Sequence, residues 1–221
     1  MTITQALLTL GATHGRTGQK LKPMGIVVHY VGNPGSSAQA NRNYFENGSG
    51  GNGVSAHYIV GLNGEVLQCI PDTECAMHAG RSYGAAWNGL APTNNARYIG
   101  IECCHPDSTG KFNAKTEASL TALVKQLCAT YALDAAKEVL RHYDVAGKQC
   151  PAYYVKNPAA WETLLQAMSV QEVPISAEPS SWAAEAWAWA KAQGITDGTR
   201  PCDAITRQEV VQMLYNERLA Q

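Results

Sequence analysis

A histidine and a cysteine stand eight positions apart in RHYDVAGKQCP, residues 141–151, with a lysine two places before the cysteine. His142 and Cys150 are types that ligate a metal as imidazole and thiolate, and Lys148 is a cation that can steady a developing negative charge. Each also has a plain structural reading: a ring at a strand end, a small apolar side chain under a turn, a solvated loop lysine. A third candidate lies far upstream in GIVVHYV, residues 25–31. Alternation along a strand puts Val27, His29 and Val31 on one face there, with His29 near the end of the run. Alone, His29 reads as a packed histidine. Joined to His142 and Cys150 it completes two imidazoles and one thiolate, a three-ligand zinc set with a fourth position open to water or substrate, as in catalytic sites.

Elements of regular structure must carry these residues together. GIVVHYV is rich in β-branched residues and bounded by Pro23, Gly32 and Pro34, which predicts a buried strand. SSAQANRNYFENG predicts a helix from its serines to Gly48, and GSGGNG a loop. In AHYIVGLNGEVLQCI the Asn63-Gly64 pair between two apolar runs predicts an antiparallel hairpin. ARYIGIECC reads as a further strand and VLRHYDV as a shorter one. Leu120, Leu123, Val124, Leu127, Cys128 and Tyr131 recur at helical spacing, so residues 116–131 should form an amphipathic helix laid on the sheet. The expected fold is α/β, a central mixed β-sheet flanked by helices.

Composition sets the remaining limits. A chain of 221 residues with 45% hydrophobic and 16% charged content can bury a core. A net charge of -1 gives no electrostatic case for nucleic acid or an anionic membrane. No apolar run is long enough to span a bilayer, and no basic segment precedes the short N-terminal apolar patch, so the chain reads as made in the cytoplasm without a signal peptide. Seven cysteines without a CxxC pair suggest reduced thiols rather than a zinc ribbon. In CCHP, successive strand residues point to opposite faces, so Cys103, Cys104 and His105 cannot converge on one ion and read as core and loop.

After Met168 the pattern changes. SVQEVPISAEPSS reads as a linker, which divides the chain into a catalytic domain at 1–170, a linker at 171–180 and a small module at 181–221. WAAEAWAWAKAQG puts Trp182, Ala186 and Trp189 on one helical face, and Thr206 and Glu209 have capping-box spacing ahead of Val210, Val211 and Leu214. The module is expected to be a helical hairpin. At about 40 residues it is too small to cover its own apolar stripe, so it should pair with a second copy as a homodimer.

GIVVHYV, VSAHYIVGLNGEVLQCIP, CAMHAG, RYIGIE and RHYDVAGKQCP, in this order over residues 20–165, resemble the zinc-dependent N-acetylmuramoyl-L-alanine amidases, the family of phage endolysins and peptidoglycan recognition proteins. The resemblance implies one Zn2+ held by His29, His142 and Cys150, with Glu102 and Lys148 as catalytic residues acting on bacterial peptidoglycan. It also places His57 and His78 along a substrate groove, which Trp87 and Asn88, in the long loop of GAAWNGLAPTNNARY, are expected to frame. CAMHAG has methionine where AWHAG is frequent in the family, and Ala56 stands where members lacking the glutamate carry a tyrosine. Glu102 therefore marks the glutamate-using branch. The tail resembles a single S-layer homology repeat, with TRQE for TRAE, which makes Arg207 a candidate contact to secondary cell-wall polymer. Release by a holin would suit an endolysin. The alternatives are a peptidoglycan-binding module without turnover and a cytosolic amidase recycling muropeptides.

Overall fold

The computed structural model describes residues 1–80, 94–169, 179 and 181–196. The chain forms two compact units, Met1–Val170 and Gln171–Gln221. In chain order the first contains β1 (Ile3–Gln5), β2 (Arg16–Lys20), β3 (Gly25–Tyr30), α1 (Ala38–Glu46), β4 (Tyr58–Val60), β5 (Val66–Gln68), β6 (Glu74–Ala76) and β7 (Tyr98–Cys103). Then come α2 (Ala114–Tyr131), α3 (Ala135–Glu138), β8 (Val139–Arg141), α4 (His142–Ala146), α5 (Ala152–Lys156) and α6 (Pro158–Ser169). Six strands form one sheet in the order β1-β5-β4-β7-β3-β8, and β2 pairs with β6 in a separate two-stranded sheet. Within the large sheet β4 and β5 are antiparallel and the other pairs parallel, so the sheet is mixed as expected.

Strand β3 lies between β7 and β8, and its apolar run follows from burial on both faces. On one face Ile26, Val28, Ile99 and Ile101 pack with Leu120, Leu123, Val124 and Leu127 of α2 and with Trp161 and Leu164 of α6. On the other, Val27 and Tyr98 pack with Ala79, Val145 and Ala146. His29 and Glu102 continue that second face at the strand ends, and the parallel register pairs them directly.

Local chemistry explains the boundaries. Ser37 accepts from the Ala40 N–H to start α1, and Asn113 accepts from the Thr116 N–H to start α2 two residues before its expected start at 116. Gly64 turns the β4–β5 hairpin at φ +84°. VLRHYDV departs from its expected strand: β8 stops at Arg141, where the Asp144 carboxylate accepts from the Arg141 N–H at 2.8 Å and from its guanidinium at 2.7 Å. That pair caps α4, and His142 becomes its first residue. Sequence patterning missed β1, β2, β6, α3, α5 and α6. The three strands are short and partly exposed, and their alternation carries little signal.

Gly25 makes a testable claim about packing. A Cβ there would lie 2.6 Å from the Glu138 carbonyl oxygen and 3.1 Å from the Tyr98 ring. Gly25→Ala should therefore destabilise the protein by about 1–3 kcal/mol, measured by urea unfolding. An unchanged midpoint would show that β3 can shift at no cost.

Of the expected helical hairpin, α7 (Ala184–Ala192) is described in the second unit. Residues 197–221, with Arg207, lie outside the described residues, as does most of the linker. Among the described residues no helix is long and apolar enough to cross a membrane.

Candidate metal centre

Three elements deliver the three expected ligands. His29 comes from the end of β3, His142 opens α4, and the Gly147 turn after α4 brings Cys150 back beside it. That turn is pinned at both ends: the Gly147 N–H donates to the Tyr143 carbonyl at 2.8 Å, and the Tyr143 N–H donates to the Cys150 carbonyl at 2.9 Å. One donor atom from each of His29, His142 and Cys150 lies within 4.8 Å of the others, and all three residues are buried. The Cys150 Sγ is 3.8 Å from His29 Nδ1, and the two imidazole centroids are 4.5 Å apart. They line a pocket of about 230 Å³ together with Glu102, Lys148 and His78.

The surroundings of these donors fit a cation. Burial, and then the neighbouring His142, hold His29 well below the ordinary histidine value, while burial pushes His142 down to about 3. Burial also pushes the Cys150 thiol up to about 12. The imidazoles are thus neutral and carry lone pairs, and a bound divalent ion would keep the cysteine as thiolate. His142 Nδ1 is buried without a hydrogen-bond partner, as a position reserved for a ligand bond would be. The residues present can hold a metal.

Glu102 is held differently. Its Oε2 is buried without a partner, and burial pushes the carboxyl up to about 8 against the opposing pull of the Lys148 ammonium. Lys148 also acts electrostatically on His29, His142 and Cys150, so its charge lies close to the donor set.

The two further histidines part company. His57 is wholly buried, donates from Nε2 to the Glu74 carbonyl at 2.8 Å and accepts at Nδ1 from the Gly100 N–H at 2.9 Å. With both nitrogens spent on backbone and no place in the pocket wall, it has no atom for substrate, contrary to its expected groove position. His78 does line the pocket, yet both of its nitrogens are engaged, Nε2 with the Tyr98 carbonyl and Nδ1 with His29, each at 2.9 Å. Trp87 and Asn88 lie outside the described residues. Asn95 escaped notice in the sequence: its Oδ1 accepts from the N–H groups of His78 at 3.0 Å and Ala79 at 2.7 Å.

Buried neutral histidines make stability depend on pH. Burial pushes His57 down to about 4 and His78 down to about 3. On unfolding each returns to about 6.5 and takes up a proton between those values, so stability is full above pH ~6.5 and declines as pH falls towards 4. His57 alone contributes on the order of 3 kcal/mol. Glu102, raised, runs the other way between about 4.5 and 8, but it opposes His29, His57, His78 and His142 together. Chelated protein should therefore unfold at markedly lower urea at pH 5 than at pH 7.5. Equal midpoints would contradict the assignment of neutral buried rings.

A mixed sheet whose β3 and β7 end in an imidazole and a carboxyl, beside an imidazole, an ammonium and a thiol from α4 and the segment after it, has the make-up of a hydrolase site. The chain belongs to the N-acetylmuramoyl-L-alanine amidase family, whose model matches residues 19–153. It is 38% identical over 148 residues to a probable N-acetylmuramoyl-L-alanine amidase of Bacillus licheniformis, covering 65% of this chain and 41% of that protein. It is 35% identical over 151 residues to the amidase BlyA of Bacillus subtilis (strain 168), covering 64% of this chain and 40% of BlyA. The chain thus spans about two fifths of the length of these curated relatives. Its fold is similar to the catalytic domain of XlyA, with TM-score 0.62 and 29% identity over 76% of this chain and 99% of that one. PlyL is similar as well, with TM-score 0.65 and 25% identity over 78% of this chain and 100% of that one.

Proposed function

We propose that this chain hydrolyses the amide between N-acetylmuramic acid and L-alanine in bacterial peptidoglycan, as an endolysin of phage or prophage type. The observation that carries the reading is the convergence of His29, His142 and Cys150 beside Glu102 and Lys148, in a chain of this family. Zinc held by the three ligands would supply the Lewis acid that polarises the scissile carbonyl and makes water nucleophilic near neutral pH. Glu102 takes the proton from the attacking water and returns it to the leaving alanine nitrogen. Burial raises this carboxyl, and a bound cation together with the Lys148 ammonium would draw it back towards ionisation, leaving a group that can accept a proton and then donate it. Lys148 places its ammonium where it can balance negative charge on the carbonyl oxygen.

The domain division, with a catalytic unit at 1–170, a linker at 171–180 and a module at 181–221, belongs to the same reading. The module would attach the enzyme to secondary cell-wall polymer through Arg207 and neighbours, and pair two chains through its apolar face. Walls incubated with the protein should gain L-alanine amino termini. New reducing sugar ends in their place would identify a glycosidase, and binding without any new ends would identify a module that does not turn over.

A further inference from the structure

The segment after β6 reaches the His29 imidazole of the candidate metal set without contributing a ligand. The carbonyl of Tyr98 accepts a hydrogen bond from His78, which fixes the His78 proton on Nε2 and leaves Nδ1 as an acceptor. His78 Nδ1 in turn accepts from His29 Nε2, so the His29 proton is fixed there and the Nδ1 lone pair is left facing the Cys150 Sγ. The next residue, Ala79, packs with Val145 and Ala146 of α4. Asn95 then holds both peptide N–H groups of this pair with a single carbonyl oxygen, while its Nδ2 donates to the Met77 sulfur at 3.6 Å.

The seat of the His78 ring is built into the sheet. Gly100 lies on the same face of β7 as Tyr98 and Glu102, and a Cβ at Gly100 would fall 2.5 Å from His78 Cγ and 2.6 Å from its Nδ1. An absent side chain on β7 is therefore what lets the ring lie against the strand and meet His29. The acceptor here is an imidazole nitrogen, in place of the carboxylate, carbonyl or water oxygen that usually supports a ligating histidine.

We infer that His78 and Asn95 are positioning residues for the metal centre: His78 selects the His29 tautomer that presents Nδ1 to the ion, and Asn95 clamps the His78–Ala79 segment that holds the His78 ring against His29. This inference rests on the zinc reading of His29, His142 and Cys150. Supporting hydrogen bonds of this type typically govern metal affinity by about 10- to 100-fold.

The test measures zinc dissociation constants of the full chain against a chromophoric chelator, alongside melting temperatures of the metal-free proteins. His78→Phe keeps the ring volume and removes the acceptor, and should weaken zinc binding by about 10- to 100-fold. Asn95→Leu should weaken it too, whereas Asn95→Asp, which keeps an acceptor oxygen, should restore most of the affinity. Nitrogen NMR of His29 should report a proton on Nε2 in the wild type and mixed tautomers in His78→Phe. A merely structural role would lower the metal-free melting temperature and leave the affinity of the folded protein unchanged. Folded His78→Phe and Asn95→Leu proteins that bind zinc as tightly as wild type would overturn the inference alone. If His78→Phe does not fold, the Asn95 pair decides by the same criterion. A wild type that binds no zinc would overturn the metal reading and this inference with it.

Discussion

Glu102→Gln should lower kcat by at least about 100-fold while zinc content stays at one per chain and the affinity for cell walls is kept. Glutamine preserves the size and polarity of the side chain but cannot cycle a proton between water and the leaving amine, so the loss falls on the transition state rather than on substrate binding. The pocket supports this division, because Glu102 lines it while the donor set is complete in His29, His142 and Cys150. The measurement is steady-state turnover on purified walls with metal analysis of the same preparation. Wild-type turnover would move the general base elsewhere.

Cys150→Ser should have the second large effect, and it should fall on the metal. A serine hydroxyl is a far poorer zinc ligand than a thiolate, and its loss removes a bond to the ion rather than a hydrogen bond behind one. Zinc affinity should drop by more than the roughly 10- to 100-fold that loss of a supporting hydrogen bond costs. Activity should disappear at limiting zinc. Because Cys150 also closes the α4 turn through its carbonyl, which the serine keeps, the metal-free fold should survive. A Cys150→Ser protein retaining one tightly held zinc would remove Cys150 from the site.

The features that sequence made legible share a cause. β3 and the Asn63-Gly64 hairpin are specified by short-range chemistry, namely burial on both faces and a turn that demands positive φ. The convergence of His29, His142 and Cys150 was readable because two imidazoles, one near the end of a predicted strand and one in RHYDVAGKQCP, make a complete three-ligand set with the thiolate of the same segment. His57 and His78 looked alike from sequence, and only packing separates them: one is enclosed by the backbone of Glu74 and Gly100, the other leans on His29. Asn95 could not be foreseen, since its role depends on a tertiary approach to His78 and Ala79 across 17 and 16 residues of chain. The end of β8 was missed for a local reason, because strand propensity in VLRHYDV gave way to the Arg141–Asp144 cap.

The central claim is that amide hydrolysis takes place at a metal held by His29, His142 and Cys150. Its most direct measurement follows the release of L-alanine amino termini from purified cell walls by the untreated protein, by the chelated protein, and by the chelated protein given one equivalent of zinc. The account predicts rapid release, then a near-complete loss, then recovery. Full release by protein shown by metal analysis to be free of zinc and other divalent ions would contradict it.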